Sequence, residues 1–239
     1  QMGLDLGKLN YLRENPLDAV ILPRTEKPQL QTMDDADMIA FLQAIEGDAY
    51  EIELFVDAFT GLRQGELLGL TWDCVDFEKG TILINKQLRR DQRKGGQYYF
   101  SPPKNNKSRT ITPAPYVMKL LRTQKVRQSE QRLLAGPAWE DSGLVFTNEF
   151  GRYVSYRAIF DSFKRMVTRI GIPNARIHDL RHTYAVNCIR AGDDIKTVQG
   201  NLGHATAAFT LDVYGHVTDQ MKRESADRME RFIRIVSVG

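Results

Sequence analysis

The chain has 239 residues, 33 Lys and Arg against 30 Asp and Glu, and a formal charge of +3. With 26% charged and 42% hydrophobic residues it has an ordinary globular composition and the length of one large domain or of one domain plus a fragment. No apolar run approaches the ~20 residues of a membrane-spanning helix. Two cysteines, Cys74 and Cys188, exclude a disulfide framework or a four-thiolate zinc site and point to a reducing, cytosolic setting.

In chain order, residues 1 to about 15 read as the end of a helix, stopped at Asn15-Pro16. Pro16 to Pro28 reads as a linker, so 1–27 is expected to close an N-terminal module and 28–217 to form the main domain. Thr32 with Asp35 reads as an N-cap opening a helix that closes near Gly47. A second helix is expected over Asp48 to Thr60, with Gly61 as its stop, and a short third over Arg63 to Leu70. The runs Thr81–Leu88, Gln97–Ser101 and Ser108–Thr112 are β-branched or aromatic and bounded by Gly, Asn and Pro, as in a small antiparallel sheet. Helical patterns return over Ala114–Leu134, from the cap Ser155 to Ile170, and over His178–Arg190, where Ile177, Leu180, Tyr184 and Cys188 form one stripe. Asp194–Asn201 and Thr218–Arg231 read as further helices, and Phe232–Val238 alternates like a short strand. The fold class is therefore mainly α with a small antiparallel β-sheet, and 218–239 forms a tail.

Charge is unevenly placed. Glu26 to Asp57 holds nine acidic residues and one basic, whereas Lys86 to Arg109 holds eight basic and one acidic. The basic stretch carries Lys86, Arg89, Arg90, Arg93, Lys94, Lys104, Lys107 and Arg109, interleaved with Tyr98, Tyr99 and Phe100. It reads either as a solvated hairpin or as a loop that follows a phosphate backbone, where cations release counterions. Arg152, beside the Asn148–Gly151 turn, joins this DNA-binding set.

Several polar groups sit where periodicity does not demand them. His178 and Arg181 are i and i+3 on one helix face. His204 follows Leu202-Gly203, Tyr214 precedes Gly215-His216, and Arg63 follows a glycine helix stop. Singly, each is more readily an exposed ion pair, a structural histidine or a core tyrosine. His178 and His182 have zinc-helix spacing, but the glutamate of H-E-x-x-H is missing and Arg181 between them suits an anion, so no metal is expected. Together, Arg63, a sheet lysine, His178, Arg181, His204 and Tyr214 would make a cationic pocket for a phosphodiester transition state. Guanidiniums fork onto two phosphate oxygens and keep their protons. A phenolate forms more easily beside them, and a lysine or histidine can protonate the leaving alkoxide.

The segments GLRQGELLGL, PPKNNKSRTITP, HDLRHTYAVNCIRAG and NLGHATAAFTLDVYGHV resemble the motif series of the tyrosine recombinase (phage integrase) family, most closely the integrases of conjugative transposons. The resemblance covers about residues 30–220. It implies the tyrosine recombinase catalytic-domain fold, Arg63 and Arg181 as phosphate-binding arginines, His178 as the acid or base beside Arg181, His204 as a further donor, and Tyr214 as nucleophile. Lys104 fits the family's hairpin lysine, with Lys107 as rival, while Glu66 matches an acidic position of structural character. The implied reaction is DNA strand cleavage to a 3′-phosphotyrosyl enzyme and rejoining by a 5′-hydroxyl, without cofactor or metal, for integration and excision of a mobile element. The implied partners are double-stranded DNA, a homo-tetramer in the synaptic complex and an accessory excision factor, with no membrane, in a bacterial cytoplasm at the nucleoid. The tail is expected to dock in cis or on a neighbouring protomer. The rival functions are a type IB topoisomerase, a decayed DNA-binding module and a metal-dependent nuclease. NLGHATAAF departs from the family's usual Ser-Ser run after L-G-H, and only 1–27 could belong to the family's N-terminal core-binding domain.

Overall fold

A computed structural model describes residues 32–91, 96–104, 106–203 and 218–237. The expected N-terminal module over 1–27, Arg93, Lys94, His204 and Tyr214 lie outside the described residues.

The main helices are α1 (Asp35–Ile45), α2 (Glu51–Thr60) and the short α3 (Gln64–Leu68), then, beyond the strands, α4 (Pro115–Ala135), α5 (Tyr156–Arg169), α6 (Ile177–Ala191), α7 (Ile195–Leu202) and α8 (Thr218–Ser237). Between α3 and α4 run β1 (Val75–Asp76), β2 (Thr81–Ile84), β3 (Gln87–Asp91), β4 (Gln97–Ser101) and β5 (Arg109–Ile111). Helix ends follow local chemistry. Asp34 rather than Thr32 caps α1, its Oδ1 accepting from Asp37 N at 2.8 Å. Ser155 caps α5 and Asp194 caps α7, as their side-chain oxygens satisfy otherwise unpaired first-turn amides.

The β region forms two sheets. β2 lies centrally between β1 and β5, all antiparallel, with Ile82 opposite Ile111. β3 and β4 form a separate hairpin with Leu88 opposite Phe100. The single strand expected over Thr81–Leu88 is thus broken at Asn85–Lys86, because Ile84 pairs with Arg109 while Leu88 turns to the hairpin. The strand expected at Phe232–Val238 is corrected too: α8 continues to Ser237.

Helix α2 is the structural axis and contacts α1, α3, α4 and α6. One core gathers Phe41, Ile45, Leu54, Phe163, Val167 and Leu180 between α1, α2, α5 and α6. A second gathers Val56, Leu67, Ile82, Ile111, Leu121 and Phe146 over the three-stranded sheet. Each such fully buried side chain contributes about 1.5–3 kcal/mol. The two glycines of RQGELLGL belong to close packing: a Cβ at Gly69 would lie 2.6 Å from Leu88 N, and one at Gly65 2.9 Å from Leu88 O, so α3 abuts the backbone of β3. Among the described residues no helix is long and apolar enough to cross a membrane.

Candidate active site

Helix α2 ends at Gly61, whose φ of 59° lets its N–H close on Asp57 O. This stop turns the chain so that Arg63 becomes the N-cap of α3. Glu66, three residues on, accepts from Arg63 N at 3.0 Å and from Arg63 Nη1 at 2.8 Å. The start of α6 repeats the device: Asp179 accepts from Arg176 N at 2.8 Å and pairs with the Arg176 guanidinium. That cap sets the first turn of α6 and so presents His178 and Arg181.

Arg181 is 2% exposed. Its Nη1 donates to Gly61 O and its Nη2 to Leu202 O, each at 2.5 Å. Both carbonyls lie at helix C-terminal ends, where unpaired oxygens and the helix dipole favour a cation. Arg63 Nη2 reaches Gly203 O at 3.4 Å. Two guanidiniums 118 positions apart in the sequence thus donate to the consecutive carbonyls of residues 202 and 203, and they stand side by side. The next residue of the chain is His204.

Behind this pair lie two carboxylates of opposite character. Glu66 is wholly buried; burial alone would raise its pKa, but Arg109 and Arg63 outweigh it and hold the carboxyl down at about 2. Asp57 is also buried, and its Oδ1 has no hydrogen-bond partner. Burial pushes it up to about 8, the positive charge of Arg181 opposing and the negative charge of Glu66 adding. At neutral pH Glu66 is ionised and Asp57 mostly protonated. His178 and His182 meet edge to face with ring centroids 4.8 Å apart. Burial and the Arg181 charge hold His178 below its ordinary value, and burial with the neighbouring His178 lowers His182 to about 4. Both are neutral at pH 7, so His178 can accept a proton or share one. Arg63 and Arg109 share the ionised Glu66 carboxylate and Arg181 lies close to Arg63, an excess of positive charge suited to an anion.

The structure brings Arg63, His178 and Arg181 to one end of α2. Lys104 and Lys107 are both exposed on the loop joining β4 to β5. Arg89 and Arg90 are exposed on β3, Arg90 Nε donating to Gly96 O at 3.2 Å. Lys86 stands 5.7 Å over the Phe100 ring and 3.6 Å from Asp73. Arg152 is exposed and paired with Glu140 at 2.6 Å. Arg109 departs from its expected place on a DNA-facing surface: its guanidinium is turned inward onto Glu66, leaving the side chain 11% exposed. Sequence reasoning also passed over Asp57, counted among the acidic residues of the N-terminal half. Its signal was an acid inside the apolar run Leu54–Phe59 of α2. Three of the described tyrosines, Tyr50, Tyr156 and Tyr184, have phenols pushed up by burial, which makes them poor nucleophiles.

A helical scaffold that gathers two arginines and a neutral histidine at one end of α2 makes a cationic site suited to an anion. The chain belongs to the phage integrase family, whose model matches residues 31–221. It is 30% identical over 236 residues to the tyrosine recombinase XerC-like protein of Caldanaerobacter subterraneus subsp. tengcongensis, covering 92% of this chain and 60% of the relative. It is 29% identical over 224 residues to the ICEBs1 integrase of Bacillus subtilis, covering 92% of this chain and 59% of the relative. The chain therefore spans less than two thirds of the length of these relatives. Among solved structures, the Tn1549 transposon integrase in complex with transposon right-end DNA matches with a TM-score of 0.72 at 24% identity, over 95% of this chain and 75% of that one.

Proposed function

We propose that the chain is the catalytic part of a site-specific DNA recombinase that cleaves and rejoins strands for integration and excision of a mobile element. The observation that carries this reading is the convergence of Arg63 and Arg181 on the carbonyls of residues 202 and 203, with His178 one turn before Arg181. The two guanidiniums bind the scissile phosphate and neutralise charge on its non-bridging oxygens as the phosphorus becomes five-coordinate. Tyr214 attacks that phosphorus, the bond to the 5′ oxygen breaks, and the phosphate is held as a 3′-phosphotyrosyl ester. His178 or His204 assists the phenol, and Lys104, with Lys107 as rival, delivers the proton to the leaving 5′ oxygen. A partner strand's 5′-hydroxyl then reverses the step, so the bond energy is kept and no cofactor is consumed.

The hairpin β3–β4, with Arg89, Arg90, Tyr99 and Phe100 exposed, supplies cations and aromatic faces to the duplex. Residues 28–217 form the catalytic domain. Helix α8 exposes Met229, Phe232, Ile233 and Val236 at helical spacing, and this stripe docks on a neighbouring protomer of a tetramer on two duplexes. The reaction takes place at the bacterial nucleoid, where an accessory factor biases excision.

The test is a nicked suicide DNA substrate in EDTA. A covalent protein–DNA adduct mapping to Tyr214 is expected, with Tyr214→Phe losing the adduct and keeping DNA affinity. An adduct that survives in Tyr214→Phe would sink the nucleophile assignment. Strand joining between two duplexes separates a recombinase from a topoisomerase.

A further inference from the structure

Arg109 is a largely enclosed cation that neither DNA binding nor cleavage, as derived above, employs. All three of its donor nitrogens are engaged within the protein. Nη1 donates to Glu66 Oε1 at 3.1 Å, Nη2 to Glu66 Oε2 at 2.7 Å, and Nε to Asn201 O at 2.8 Å. With Arg63 N and Nη1 on the same carboxylate, Glu66 accepts four hydrogen bonds, its full capacity. Gly203 completes the fit: it takes φ of +61°, and a Cβ there would lie 3.0 Å from Arg109 Nη1.

We infer that Arg109 is a positioning residue, which through Glu66 fixes the direction of the Arg63 guanidinium and through Asn201 O fixes the end of α7 that leads into His204. The inference rests on the functional reading above. The physics is a shared anion. Glu66 is fully desolvated, and a buried carboxylate needs its charge matched. While Arg109 supplies a fork, Glu66 requires only one Nη of Arg63, and the rest of that guanidinium can face a phosphate. Without the fork, Glu66 draws Arg63 into a full bidentate pair or takes up a proton and releases it; either way Arg63 leaves its direction. A lysine cannot replace the fork, because one ammonium cannot reach both carboxylate oxygens and the carbonyl in a fixed plane.

The test compares single-turnover cleavage of suicide DNA carrying an ordinary scissile phosphate with cleavage of the same DNA carrying a methylphosphonate there, which removes one non-bridging charge. Arg109→Gln is expected to cleave the phosphate substrate about 10²-fold more slowly at saturating DNA, as for a displaced transition-state donor. DNA affinity should stay within about threefold, since the Arg109 guanidinium is engaged by Glu66 and Asn201 O. On the methylphosphonate the defect should shrink at least about tenfold, as it should for Arg63→Ala, because less charge then needs the guanidinium. Adding Glu66→Gln to Arg109→Gln should recover part of the rate by removing the unmatched charge. Equal losses on both substrates, or cleavage by Arg109→Gln within about threefold of the parent chain, would overturn the inference. A parallel Arg63→Ala defect that ignores the methylphosphonate would overturn the phosphate pocket itself, which separates the two failures. If Arg109→Gln does not fold, Arg109→Lys keeps the charge, and the same two-substrate comparison applies with the same criteria.

Discussion

The two arginines of the pocket are held in contrasting ways. Arg63 is about a quarter exposed and is tethered by a carboxylate that a second arginine shares. Arg181 is buried and is tethered by main-chain carbonyls at the ends of two helices. The first arrangement fixes direction through side chains while leaving the guanidinium accessible. The second makes the guanidinium part of the fold, with a neutral acid, Asp57, behind it. The same chemical group thus serves as an adjustable arm on one side and as a structural strut on the other.

The largest expected effect is from Arg181→Ala. It should lower cleavage about 10³-fold, in the range of a lost transition-state donor. It should also lower the melting temperature, because two buried carbonyls lose their donors at about 1–3 kcal/mol each. Arg63→Ala should cost about 10²–10³ in cleavage but leave the melting temperature nearly unchanged, since Glu66 keeps the Arg109 fork. Rate measurements paired with thermal denaturation check both, and equal stability losses would break the contrast.

Asp57→Asn sharpens the contrast through pH. A carboxyl held near 8 when folded and near 3.8 when unfolded keeps its proton in the native state over that interval, so native stability falls as pH rises through it and levels above about 8. The asparagine variant lacks this loss. Its melting temperature relative to the parent should therefore climb between pH 4 and pH 8, by several degrees. A gap constant with pH would place the ionisation elsewhere. The smallest effect is expected outside the pocket: Arg89→Ala on the exposed hairpin should reduce the slope of log affinity against log salt by about one and leave cleavage at saturating DNA unchanged. Titration at several salt concentrations reads it directly.

Much of this architecture was legible because local chemistry wrote it. Ser155 and Asp194 announce helix starts, Gly61 announces a stop, and all three serve as expected. His178 and Arg181 were legible as one helix face from their spacing alone. What local rules could not reach was the choice of partner. Nothing between Thr81 and Leu88 says that Ile84 pairs with Arg109 while Leu88 pairs with Phe100. In Phe232–Val238 a short apolar alternation fits a strand and a helical stripe equally, and the turns of α8 before it carried the helix through. Arg109 in a basic run reads as surface, and only the fold reveals a buried glutamate 43 positions away that claims it. Asp57 was missed for the same reason: its meaning comes from Arg181, which approaches from α6.

Gly61 O and Leu202 O, which accept from Arg181, are main-chain oxygens, and every amino acid carries the same one. Replacing the side chain at Leu202 alters packing but cannot delete the acceptor, whereas Arg63 depends on the side chains of Glu66 and Arg109, each erased by a single codon change. Mutational drift in this chain should therefore tolerate variety around the Arg181 anchor and punish it around the Arg63 anchor, which makes the Arg63 side the place where directed evolution would retune the site.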